Sequence, residues 1–95
     1  MWYLRLVLKG LKMDKEEFVR MSMQDRLSFL WNYGEIISEK VYYECNISLF
    51  LLGNFYVEVF FNRVQNAIVS VEIQDNKQIL YEYVKDINLK ELIKI

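Results

Sequence analysis

Few side chains in this sequence can do chemistry, and their neighbours define them. Glu58 stands inside the run Phe-Tyr-Val-Glu-Val-Phe-Phe, four residues past the Gly53-Asn54 corner. A carboxylate among aromatic and β-branched neighbours has three readings. It is a general base with a raised pKa, a binding group, or the solvated side of a half-buried strand. A base needs an acid-base partner, and the sequence offers none. There is no histidine, which removes Ser-His and Cys-His nucleophilic pairs and the commonest zinc ligand. Cys45 is the only cysteine. With no activating base and no helix start beside it, it reads as a small buried hydrophobe. Glu16 and Glu17 fall in the first turn of an expected helix, where the dipole accounts for them. The chain has no Asp/Asn-Gly calcium loop, and its three glycines form no phosphate-binding pattern. No catalytic residue, metal or cofactor is expected.

The elements that place Glu58 follow from periodicity. Asp14 with Glu17, and Ser22 with Asp25, are helix-start signals. They predict helices over residues 14–21 and 23–33, separate or fused into one bent helix. Leu27, Leu30, Trp31 and Met23 give the second an apolar face, and Gly34 fits its C-terminal cap. Met13, Met21 and Met23, with Trp31, are expected to pack helix onto sheet. From Glu35 onward β-branched and aromatic residues take over. Strands are expected over 35–40, 46–52, 55–61 and 67–74. The link from the first to the second carries no turn signal. Beyond residue 76 the spacing of Ile79, Leu80, Tyr83, Val84 and Ile87 is helical, with Asp75 and Gln78 as its cap. A fifth strand over 79–84 is the competing reading. Asn88 with Glu91 repeats the cap signal for a last turn. The fold class is α+β: N-terminal helices packed on a four-stranded antiparallel meander, with a short C-terminal helical segment.

Gly53-Asn54 is a favoured two-residue hairpin loop and fixes a register. It pairs Leu52 with Phe55, Phe50 with Val57 and Ser48 with Val59. A loop over 62–66 would pair Val59 with Val69, Val57 with Val71 and Phe55 with Ile73. Side chains alternate across a strand. One face is then nearly pure core, and the helices must cover it. The other carries Ile47, Leu49, Leu51, Tyr56, Glu58, Phe60, Ile68, Ser70 and Glu72. Here Glu58 is the solvent-side member of an alternating strand. That face is still too apolar to stay bare. The chain's own terminal segments cover it, or a second chain does.

The whole chain excludes several classes. Its 95 residues allow one domain, and 54% hydrophobic content is too apolar for a disordered chain. The net charge of −1 has no clustered sign, so no DNA-binding footprint is present. Phe50, Tyr56 and Phe60 are aromatic enough to stack bases in a single strand, but Phe50 falls on the opposite face, and Glu58 and Glu72 add negative charge. Nucleic acid is therefore disfavoured as a partner. A lone cysteine suits a reducing cytoplasm. The apolar stretch in residues 1–12 is too short for a membrane span and lacks signal-peptide layout. It is read as an extra edge strand over 2–8 or an upstream extension.

Leu30-Trp31, Gly34, the Leu-rich stretch 49–52, Phe-Tyr-Val-Glu-Val at 55–59 and the Ile-rich stretch 68–73 together resemble a group of small bacterial proteins. Residues 86–92 also fit that pattern, while 1–12 lie outside it. The resemblance implies no activity. The leading functional expectation is a non-enzymatic interaction module, of the inhibitor, immunity or antitoxin-like kind or a homodimer. It would bind a protein through the mixed sheet face (Leu49, Tyr56, Glu58, Phe60 and Ile68) or through an exposed strand edge. The alternatives are a ligand pocket or enzyme site between helix and sheet using Glu58, and single-stranded nucleic-acid binding.

Overall fold

The computed structural model describes residues 13–85. The strand expected over 2–8 and the last helical turn expected beyond residue 87 lie outside them. Helix α1 (Lys15–Arg20) starts at Asp14, whose carboxylate accepts from the Glu17 amide at 2.8 Å. Helix α2 (Met23–Tyr33) starts at Ser22, whose Oγ accepts from the Asp25 amide at 3.1 Å. Each cap satisfies an amide that a helix start leaves without a carbonyl. Extended backbone at Met21 and Ser22 keeps the helices separate. Gly34 ends α2 as expected, but its φ of −82° is not left-handed. What it supplies is room. A Cβ there would lie 2.7 Å from the Leu30 carbonyl oxygen, the oxygen that the Gly34 amide binds.

Four antiparallel strands follow in the order β1 (Glu35–Tyr42), β2 (Cys45–Leu52), β3 (Phe55–Asn62) and β4 (Ala67–Gln74). The β2–β3 register is the one Gly53-Asn54 predicts: Leu52 opposite Phe55, Phe50 opposite Val57, Ser48 opposite Val59. Gly53 takes the positive φ of 63° that this corner requires. The unsignalled β1–β2 connection turns at Tyr43-Glu44, with Tyr43 itself at φ 52°. Arg63 braces it. Its guanidinium donates to the Tyr43 carbonyl and to Asn46 Oδ1, and its amide donates to the Glu44 carbonyl.

The β3–β4 register differs from the expected one. Val59 pairs with Val71 and Val57 with Ile73, two residues further along. Asn62 stays in the strand because its Oδ1 accepts from the amides of Val64 and Gln65, which starts the turn later. A bulge then lets Phe60 pair with Ser70 and Phe61 with Ile68. Val69 is the extra residue and is exposed. Ile68 is thereby moved off the face carrying Leu49 and Tyr56, and packs in the core under α1 and α2.

That first core contains Phe18, Phe29, Leu30, Phe50, Leu52, Phe55, Val57, Val59 and Val71, with Met13 closing it. Trp31 and Met23 do not join it. Trp31 is 78% exposed and meets only the flank of Phe50 among the described aromatic rings. The helix turns Phe29 and Leu30 inward instead. On the opposite face lies α3 (Lys77–Val84), a helix where a fifth strand was the competing reading. Its cap is Asn76 rather than Asp75: Asn76 Oδ1 accepts from the amides of Gln78 and Ile79. Among the described residues no helix is long and apolar enough to cross a membrane.

Arg26 ties the helices to the sheet. It donates to the Phe18 carbonyl at 3.1 Å, the Val19 carbonyl at 2.8 Å and the Val71 carbonyl of β4 at 2.7 Å. Its guanidinium also lies 5.5 Å from the Phe18 ring centre and 3.7 Å from Glu72. Truncation strands partly buried carbonyls as well as removing charge-assisted bonds. Arg26→Ala is expected to cost about 3 kcal/mol in urea denaturation. Arg26→Lys should recover little, because an ammonium lacks the planar fork that reaches several acceptors at once.

Candidate functional site

The sheet face opposite α1 and α2 was expected to expose Glu58. Instead α3 covers it. An eight-residue helix does not persist alone in water, so α3 depends on what it packs against. Ile79, Leu80 and Tyr83 point down onto Ile47 and Leu49 of β2, with Ile37, Tyr56 and Phe60 around them. Leu49 is left 1% exposed, Glu58 6% and Tyr83 3%. Of the five residues proposed for partner contact, Leu49, Tyr56, Glu58 and Phe60 are therefore gathered beneath α3. Ile68 lies on the other side of the sheet. The alternating pattern in β3 marks a strand buried on both faces, not a half-solvated one.

Glu58 is held by two donors. Tyr83 donates its hydroxyl to Oε2 at 2.5 Å, and Gln74 donates Nε2–H to Oε1 at 2.8 Å. Gln74 in turn accepts from the Asn76 amide at 2.9 Å. Asn76 is the N-cap of α3 and Tyr83 sits in its last turn, so one carboxylate anchors both ends of the helix. Charge-assisted bonds of this kind are the strong ones in a low-dielectric interior. Lys40 of β1 adds an ammonium 4.2 Å from the Tyr83 ring centre. Burial pushes the Tyr83 phenol far above its ordinary value of 10.0, and the hydrogen bond to Glu58 and the charge of Glu58 push it further the same way.

Beside α3 lies an open recess of about 270 Å³. Ile37, Leu49 and Tyr56 form its floor, Leu80, Tyr81 and Val84 its wall, and Lys77 its rim. Glu58 does not line it. A general base must come within hydrogen-bond reach of its substrate, and here Glu58 is buried beneath α3 away from the recess. The geometry gives Glu58 the role of anchoring α3. Cys45 packs at the margin of the same apolar cluster. Among the described residues no cluster of histidine, cysteine or carboxylates has metal-binding geometry.

Tyr83, Gln74 and Arg26 were not singled out from the sequence as polar partners. In the sequence Tyr83 shows only as part of an apolar stripe, and Asp75 masks the capping signal at Asn76. No family model matches the chain, and no curated protein or solved structure does either.

Because Tyr83 stays protonated in the fold while the unfolded phenol ionises near pH 10, unfolding at high pH releases a proton. Its contribution to stability is complete below that pH and is lost as the pH climbs past it. The slope is about 1.4 kcal/mol per pH unit. Tyr83→Phe should cost about 2 kcal/mol at neutral pH and should flatten the alkaline limb of a stability–pH curve measured by urea denaturation.

Proposed function

We propose that this chain is a non-enzymatic protein-interaction module whose contact surface is the outer edge of β1, and that its partner is a second copy of the chain. The observation that carries the proposal is the bare state of that edge among the described residues. Among the described residues β1 is terminal in the sheet and pairs with β2 alone. A strand edge offers a row of amides and carbonyls to any further strand. Natural edges are commonly guarded by charge; here Lys40 turns inward over the Tyr83 ring, and Glu39, the exposed charge between Ile36 and Val41, accepts from Ser48 Oγ of β2 at 3.4 Å. On the other side of β1, Ile36 and Val41 are 53% and 69% exposed. The reason is that α1 and α2 lie mainly over β4 and β2. Trp31 extends the same apolar row, since it borders Phe50, the β2 partner of Ile36.

The opposite edge is less suited. β4 carries the bulge at Val69, and Arg26 already takes its Val71 carbonyl. β1 has a bulge too, at Ile37, but it lies near one end and leaves residues 38–42 in regular pairing with β2. A two-fold axis along this edge would bury the same apolar row from each copy. A net charge of −1 offers little repulsion against such pairing.

Light scattering on the full chain should give twice 11.6 kDa at high concentration and fall toward the single mass on dilution. Val41→Lys and Trp31→Lys, both at exposed positions, should give the single mass with an unchanged circular dichroism spectrum. Val64→Lys, in the exposed β3–β4 loop, should leave the mass alone. A single mass at every concentration overturns the proposal, and the β1 edge then belongs to an unlike protein or to residues 2–8 of the same chain.

A further inference from the structure

The recess beside α3 lies on the opposite face of the sheet from Trp31, with Ile37 as its one β1 residue. It has its own chemistry. Lys77, Leu80, Tyr81 and Val84 recur at helical spacing, so one stripe of α3 looks into it while Ile79 and Tyr83 look into the sheet. Tyr81 and Val84 are exposed on that stripe. The floor is apolar, with the buried Leu49 at its base. Lys77 is the one charged residue lining the recess, and no ion pair holds its ammonium among the described residues. Tyr81 stands one turn further along the same stripe, which brings a phenol hydroxyl to the same side as that ammonium.

An apolar hollow with a single ammonium and a hydroxyl at its rim matches one kind of guest. We infer that the recess binds a small amphiphile bearing one negative charge, of the medium-chain carboxylate class. Its chain rests on Leu49 and Leu80 and its head meets Lys77 and Tyr81. A volume of about 270 Å³ is at the small end for ligand pockets, which suits a short chain. The guest is a molecule free in solution rather than one held in a bilayer, since a bilayer surface needs several cations to hold it and the recess presents one.

Octanoate, titrated into the ¹⁵N-labelled full chain and followed by amide shifts, is the direct probe. Saturable shifts confined to Ile37, Leu49, Tyr56 and α3 are expected. Octylamine, with the same chain and the opposite charge, should bind at least about fivefold more weakly, and Lys77→Glu should weaken octanoate by a similar factor. Val84→Trp, at an exposed wall position, should abolish the shifts by filling the hollow. Circular dichroism melting of each variant separates loss of binding from loss of fold. Absence of saturable shifts with octanoate overturns the inference. So does equal binding of octylamine, or a well-folded Lys77→Glu chain that binds octanoate as the parent does.

Discussion

A carboxylate at the centre of a strand covered on both faces must find its donors inside the fold. That constraint organises one whole side of this protein. Burying an ionised group without partners costs several kcal/mol, so Glu58 can occupy the middle of β3 only if something above it donates. Tyr83 and Gln74 do so, and through Gln74 the cap residue Asn76 is drawn in as well. The result fixes where α3 lies and which way it faces. Its apolar stripe alone would allow the helix to slide or rotate over Ile47 and Leu49. Two directional bonds to a single carboxylate leave one position that satisfies every polar group. Among the described residues no buried side-chain nitrogen or oxygen is left without a partner.

Arg26 is the counterpart on the other face. There the mismatch to be solved is at the junction of α1, α2 and β4, where carbonyls of Phe18, Val19 and Val71 come close together. A planar cation with several donors is suited to gather such acceptors. The two helical layers are thus each secured to the sheet by one charged side chain, an arginine on one side and a glutamate on the other. Arg26 also meets the exposed Glu72 at 3.7 Å, but its shorter bonds go to carbonyls. Each works by binding uncharged groups, so the attachment owes little to long-range charge and should be weakly sensitive to salt.

Much of this was legible in the sequence because the signals were local. Asp14 and Ser22 mark helix starts through their own side-chain bonds, and Gly53-Asn54 sets the β2–β3 register through a glycine at positive φ. Some of the failures depend on contacts between segments far apart in the chain, and others on local geometry that composition does not mark. Polar alternation in β3 is the same whether water or Tyr83 meets Glu58. The β3–β4 register turned on Asn62 capping its own turn, and the bulge at Val69 carries no composition signal. Tyr43 holds a left-handed turn with none of the residues that usually mark one, because Arg63 from another hairpin braces it. The stripe of α3 was visible. What it covered was not, since that depends on how far the helix reaches back across the sheet.

The layers are also offset, and the offset decides which surfaces remain for contact. α1 and α2 sit toward β4, whereas α3 sits toward β1. Each edge strand is therefore protected on one face and open on the other. At β4 the open consequences are limited, because a bulge and the Arg26 bond already distort that edge. At β1 the only charge able to guard the strand centre on the α3 side, Lys40, is committed to the Tyr83 ring. On the other side of β1, Glu39 stays exposed between Ile36 and Val41 and accepts from Ser48 Oγ. Glu58, first met as a candidate for chemistry, acts on the edge strand at one remove: it keeps Tyr83 in place, and Tyr83 draws in Lys40 from β1.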